Sequence, residues 1–120
     1  MTVAASDLRA TLRRRRRELS TGEQLRAAQA LAEQLTPFVS QAPPGIVAAY
    51  EATDGEISPS LVVEALETKG WQAAYPRVDE SMRFHLTRRT SLVDGRWGLS
   101  EPPPSAPAVD ARYLSLVLTP

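Results

Sequence analysis

A mostly parallel sheet flanked by helices, an α/β architecture, is what this sequence implies, on three observations. The first 38 residues carry two helical patterns in succession, residues 46–52 form a near-continuous apolar run, and residues 58–78 read as helix then strand. An apolar run bounded by turn residues is how a strand covered on both faces reads. Strand, helix and strand joined by short links make a βαβ crossover. At 120 residues the chain is one domain's worth, or part of a slightly larger one. The expected division is an N-terminal helical pair over 1–38 and a sheet region with one crossover helix over 45–120.

The elements follow from local signals. Ser6 is placed to N-cap the first helix, with Asp7 favouring the positive end of its dipole. Leu8 and Leu12 share one face, and Arg9, Arg13 and Arg17 line a neighbouring one at i, i+4 spacing. Ser20 and Glu23 have the spacing of a capping box, so a second helix starts there. Its apolar positions are Leu25, Ala28, Leu31, Ala32 and Leu35, and Pro37 is expected to end it. After Pro43-Pro44-Gly45 comes the run "IVAAYEA", then the loop "TDGE", then Ser58-Pro59 as cap and first helical residue. Leu61, Val62, Ala65 and Leu66 give the crossover helix its buried face, and Gly70 stops it. "WQAAYPRV" is the next strand. "MRFHLT" alternates Met82, Phe84 and Leu86 against Arg83, His85 and Thr87, the pattern of a half-exposed strand. A polar, proline-rich loop leads to "YLSLVLTP", read as a further buried strand.

Composition removes several functions. The chain has no cysteine, which excludes disulfides, thiolate nucleophiles and zinc–thiolate sites. No apolar run approaches the roughly 20 residues of a membrane span, and no signal peptide pattern opens the chain, so a cytoplasmic, membrane-free protein is expected. Lys plus Arg and Asp plus Glu are both 14, so the formal charge is zero, which argues against a dedicated nucleic-acid binder. The basic character is local: residues 1–40 hold seven arginines against four acids.

No phosphate-cradling glycine loop, HExxH or GxSxG is present, and the single His85 is expected at the surface. The arginine run 13–17 leaves three readings open. It is a solvated helix face, an RNA- or DNA-binding arm, or a nucleotide-phosphate grip in which one or two arginines matter. Glu51, Asp54 and Glu56 follow the first strand at its carboxyl end, where open parallel sheets bind ligands. A carboxylate there matches paired N–H donors of a heterocycle.

Taken in order, "LRATLRRRRRELS", Tyr50 followed by Glu56-Ile57, "KGW" with "YPRV", "MRFHL", "WGLSEP" and "LSLVLTP" make a pattern. It resembles the 5-formyltetrahydrofolate cyclo-ligase (5,10-methenyltetrahydrofolate synthetase) family from about Leu8 to Pro120. The resemblance implies a three-layer fold of the NagB/RpiA/CoA-transferase type, monomeric, acting on the small molecules 5-formyltetrahydrofolate and ATP with Mg²⁺. The implied reaction transfers the ATP γ-phosphoryl group to the N5-formyl oxygen. N10 then closes the ring, and phosphate leaves to give 5,10-methenyltetrahydrofolate and ADP. By position Arg9 is the implied ATP-phosphate contact with Arg13 assisting. Glu56 and Glu51 are implied substrate-binding residues, and Trp97 an aromatic wall of the folate pocket. No catalytic residue and no metal ligand is assigned.

Two departures accompany the resemblance. A lysine usual three residues before the "LR" leucine is replaced by Ala5, and lysine and arginine are not equivalent grips. The family continues past the "LVLTP" proline into a glycine-rich "RLGYGGGYYDR"-like segment that forms most of the ATP and Mg²⁺ site. The chain is therefore expected to be an N-terminal portion, with cyclo-ligase activity impaired. A non-enzymatic RNA-binding module and a catalytically degenerate folate- or nucleotide-binding relative are the alternatives.

Overall fold

The computed structural model describes residues 4–120. Three helices and seven strands succeed one another: α1 (Ala5–Arg17), α2 (Thr21–Val39), β1 (Ile46–Ala48), α3 (Ser60–Glu67), β2 (Gln72–Val78), β3 (Met82–Leu86), β4 (Val93–Asp94), β5 (Ser100–Glu101), β6 (Ala108–Val109) and β7 (Leu114–Val117). Five strands form one sheet in the order β6-β3-β2-β1-β7. β1 pairs parallel with β2 and β7, whereas β3 pairs antiparallel with β2 and β6. The sheet is mixed, with the expected βαβ crossover forming its parallel half.

α2 and α3 pack together over one sheet face. Val39, Val62, Val63 and Leu66 meet Val47, Ala49, Ala73 and Tyr75 in the core, with Leu31, Leu35 and Leu116 half-buried around it. Alternation along each strand puts this apolar set on the helix side. The start of α2 holds as the sequence predicts. The Ser20–Glu23 capping box forms in full. The N-cap of α3 is Pro59, not Ser58, and makes no side-chain cap; the helix begins at Ser60, whose amide donates to Ser58 Oγ one residue further out. α3 closes through a Schellman motif: Gly70 has φ +93, its N–H donates to Glu67 O, and Trp71 N–H donates to Leu66 O. The buried Trp71 packs in the same core as Leu66.

Several expectations are corrected. The cap of α1 is Ala4, with no side-chain hydrogen bond, because the chain is helical from Ala5 and Ser6 lies inside the first turn. Leu8 and Leu12 are half exposed, at 52% each, and α1 buries no residue. Pro37 sits inside α2 rather than ending it. In the last turn it deprives only Glu33's exposed carbonyl of a donor, and water can serve that group. β1 stops at Ala48, although Ala49 N–H still reaches Ala74 O. β7 alternates between half-buried and exposed positions as an edge strand instead of being buried throughout.

His85 is buried, not superficial. It lies opposite Tyr75 on the helix side of the sheet, and its Nδ1 pairs with Ala106 O at 2.8 Å. The segment read as plain loop crosses back over that face and carries the β4–β5 ribbon and β6. Polar contacts hold it. Arg77 donates to both Asp79 carboxylate oxygens, to Glu101 Oε1 and to Pro102 O at 3.0–3.2 Å. Arg77 and Glu101 side chains are only 14% and 12% exposed.

Two neighbours on β2 should therefore respond oppositely to truncation. Arg77→Met leaves Glu101 and Pro102 O without their donor and should cost about 2–3 kcal/mol, read as a lower urea midpoint. Tyr75→Phe removes a buried hydroxyl that has no hydrogen-bond partner among the described residues and should leave the midpoint unchanged or slightly higher.

Candidate functional site

The parallel strands end on one edge, and the chain leaving β1 there makes a tight turn. Asp54 (φ 58) and Gly55 (φ 77) both take left-handed conformations, with Glu56 N–H donating to Thr53 O at 3.0 Å. Two positive φ values in succession define a type I′ turn, for which Asp-Gly is a preferred pair. Glu56 folds back on this turn: its Oε1 accepts from Thr53 N–H (3.0 Å) and Thr53 Oγ1 (3.3 Å). Tyr50 Oη donates to Ile57 O and ties the far side of the loop to the strand exit.

The turn is also the dock for α1. Arg17 Nε donates to Asp54 Oδ1, Arg16 Nη2 reaches Oδ2 at 3.4 Å, and Arg13 Nε stands 3.7 Å from Oδ2. Arg16 Nε also donates to the Asp54 backbone carbonyl at 2.8 Å. A Cβ on Gly55 would lie 2.6 Å from Arg16 O, so only glycine permits the approach. The Arg17 hydrogen bond first, and the charges of Arg17, Arg16 and Arg13 after it, hold the Asp54 carboxyl below its usual value.

Beside the turn lies a cavity of about 310 Å³ between the starts of α2 and α3, lined by Gln24, Leu25, Ala28, Glu56, Ser58 and Ser60 among others. Of the residues implied to act, Glu56 faces this cavity and Arg13 touches the turn. Arg9 is exposed one helical turn from Arg13 on the same face, and makes no ion pair among the described residues. Glu51 is half-buried and engaged elsewhere. Arg89 Nε donates to both its carboxylate oxygens at 3.0–3.1 Å, and Nη2 to Oε1 at 3.0 Å. That pair clasps the returning segment to the β1 exit above Tyr75, whose phenol is pushed up to about 12 by burial and then by Glu51 and Glu67. Trp97 stands 80% exposed in the β4–β5 turn with φ 57, and no hydrogen bond links it to the other four.

Reading from residue types missed Arg16, Arg17 and Asp54 as a unit. The signal was present as an i, i+3, i+4 arginine triad and an Asp-Gly turn, but nothing local says that the two meet. Three of the five consecutive arginines are engaged with Asp54, which reduces the basic face a nucleic acid would meet. Among the described residues no three His, Asp or Glu side chains converge as a metal site, and no helix is long and apolar enough to cross a membrane.

Among the described residues an open α/β sheet thus gathers a cavity, a carboxylate and cationic side chains at its carboxyl edge, the place where sheets of this class bind ligands. A family model for the 5-formyltetrahydrofolate cyclo-ligase family matches residues 1–120, and the chain belongs to that family. No curated protein matches it by sequence. Several solved structures share its fold, among them two 5,10-methenyltetrahydrofolate synthetases. One is a 5,10-methenyltetrahydrofolate synthetase from Mycoplasma pneumoniae, with TM-score 0.74 and 20% identity over 98% of this chain and 64% of that one. The other is the NMR structure of the Aquifex aeolicus 5,10-methenyltetrahydrofolate synthetase, with TM-score 0.79 and 20% identity over 96% and 59%. The chain thus spans about three-fifths of the length of these structures.

Docking of α1 through one carboxylate has a pH signature. A depressed folded-state pKa means that the Asp54 contribution is present above the unfolded value and lost as pH falls through the folded one. Hydrogen-exchange protection of α1, corrected for intrinsic rates, should fall as pH drops below the usual aspartate value of about 3.9. It should also fall in about 0.5 M salt. Asp54→Asn should abolish this dependence on pH and salt and leave α1 only the residual protection that the Arg16 contact with the residue 54 backbone carbonyl gives, while β1 and β2 keep theirs.

Proposed function

We propose that the chain contributes the folate-facing edge and one phosphate-gripping helix of an ATP-dependent 5-formyltetrahydrofolate cyclo-ligase. The observation that supports this reading best is Glu56. Its carboxylate sits at the carboxyl edge of a parallel strand, faces a cavity, and has Oε1 held by its own turn while no partner occupies Oε2 among the described residues. Such a carboxylate accepts hydrogen bonds from adjacent N–H donors of a reduced pterin. Transfer of the terminal phosphoryl group of ATP to the formyl oxygen supplies the leaving group that N10 attack requires. The residues' own share of the work is to orient the pterin, through Glu56, and to neutralise phosphate charge, through Arg9 with Arg13.

Arg9 fits this role as an exposed guanidinium with no partner among the described residues, whereas Arg13 must loosen its 3.7 Å contact with Asp54 to take part. The described residues do not form a Mg²⁺ site, and no step is assigned to the ion. Glu51, held at both oxygens by Arg89, acts as a positioning residue for the strand exit. Trp97 supports the pocket-wall reading through its backbone: an aromatic residue in the left-handed region costs of order 1 kcal/mol, a strain that clusters at functional positions.

Two measurements test the reading. 5-Formyltetrahydrofolate should raise the melting temperature of the protein, and Glu56→Ala should abolish that shift without lowering the ligand-free value by more than a few degrees. Absence of any shift in the unmutated chain counts against the assignment. Trp97→Gly should raise ligand-free stability by about 1 kcal/mol through relief of the positive φ, yet weaken folate binding. Unchanged folate affinity would remove Trp97 from the site.

A further inference from the structure

We infer that Asp54 is an internal stand-in for phosphate: the arginine face of α1 is a polyphosphate-binding surface held closed by a carboxylate of the β1 exit turn. A bound polyphosphate takes the guanidinium groups of Arg13 and Arg17 over from that carboxylate. This extends the nucleotide-binding reading of Arg9 and Arg13, and rests on it.

The charge balance is the first argument. Three guanidinium groups, from Arg13, Arg16 and Arg17, surround a single carboxylate. One negative charge against three positive ones leaves a surplus of two, before Arg9 on the same helix face is added. Each guanidinium offers five N–H donors in a fixed fork, and two carboxylate oxygens cannot satisfy three such forks. Once the carboxylate is displaced, three positive charges remain; a polyphosphate, with more than two negative charges and acceptor oxygens on successive phosphoryl groups, matches them, whereas a single phosphoryl group, with close to two, falls short.

The second argument is that the contact divides into a fixed and an exchangeable part. Arg16 donates to the backbone carbonyl of Asp54, and its own carbonyl lies against Gly55, so its position is set by main chain. Arg17 and Arg13 hold only the carboxylate oxygens, and their side chains are 58% and 57% exposed. Exposed pairs of this kind are individually weak and open readily. Nothing else resists the adjustment, because α1 buries no side chain. Arg16 therefore serves as the pivot, and Arg13 and Arg17 change partner while α1 stays attached. Asp54 becomes a specificity-determining residue: it excludes ligands whose charge is too small to displace it, such as inorganic phosphate bound singly or a nucleoside monophosphate, and admits polyphosphates.

The test is calorimetric titration of ATP, inorganic tripolyphosphate and AMP into the protein, its Asp54→Asn variant and its Arg17→Gln variant at low ionic strength. Removing the competing charge should tighten binding of ATP and tripolyphosphate by about tenfold and let AMP bind measurably. Arg17→Gln should weaken both polyphosphates. Equal or weaker binding by Asp54→Asn, with β1 and β2 still protected from exchange, overturns the inference. Should Asp54→Asn fail to fold, unchanged polyphosphate affinity in Arg17→Gln overturns it instead. The nucleotide reading fails separately: tripolyphosphate responding to both substitutions while ATP does not bind upholds the exchange and removes ATP as its ligand. Folate stabilisation lost in Glu56→Ala, with polyphosphates indifferent to Asp54, leaves the cyclo-ligase reading standing and discards the exchange.

Discussion

The four-residue turn at the exit of β1 carries the carboxyl edge of this protein. Its two left-handed residues reverse the chain within the span of Thr53 to Glu56, which turns Asp54 towards α1 and Glu56 towards the cavity. Gly55 is the condition for both, since a side chain there would collide with the Arg16 carbonyl and push the helix away. An insertion or a right-handed turn at this point would separate the cationic helix from the Glu56 carboxylate. The geometry of the edge is thus set by backbone conformation before any ligand chemistry enters.

Two kinds of cohesion divide the molecule. The α2–α3 layer is held on the sheet by apolar burial, with Val47, Val62 and Leu66 almost wholly withdrawn from solvent. At roughly 25 cal/mol per Å² of buried apolar surface this is the term that makes the fold cooperative. The segment between β3 and β7 has few such contacts, apart from Leu92 and the buried Pro102. Arg77, His85 and the Glu51–Arg89 pair fasten it through directional polar bonds instead. Polar fastening fixes geometry more than it adds net stability, because each bond replaces one to water. That division holds the carboxyl edge in register while leaving it open to solvent.

Much of this was legible from residue patterns, and the omissions share a cause. The capping box at Ser20–Glu23, the βαβ unit and the Gly70 stop are local devices, written within a few residues of one another, and each forms. The boundary of α2 was misjudged because Pro37 breaks helices in their interior but is tolerated where few carbonyls remain to be served. His85 was misplaced because alternation assigns faces without saying which face is covered. The helix-side face of β3 is covered by a distant segment, and the imidazole finds the Ala106 carbonyl there. The arginine block showed its composition but not its partner, since Asp54 lies 37 residues from Arg17 in sequence. Contacts of that range depend on the whole topology, which no window of sequence contains.

The two glutamates at the edge show how such long-range contacts sort residues that the sequence treats alike. Glu51 and Glu56 leave β1 five positions apart, and either carboxylate could in principle receive a pterin. Glu51 is already met by a bidentate guanidinium, a charge-assisted arrangement about twice as strong as a neutral hydrogen bond. Taking it for a ligand would strand Arg89 and release the segment that covers Tyr75. Glu56 is held by a backbone amide and a threonine hydroxyl, both neutral and both at one oxygen. It can accept from a ligand at the other oxygen without giving up either bond, so binding would add contacts instead of exchanging them. The difference in partner, not in residue type or distance along the strand, is what separates Glu56, with one oxygen left open, from Glu51, held by Arg89.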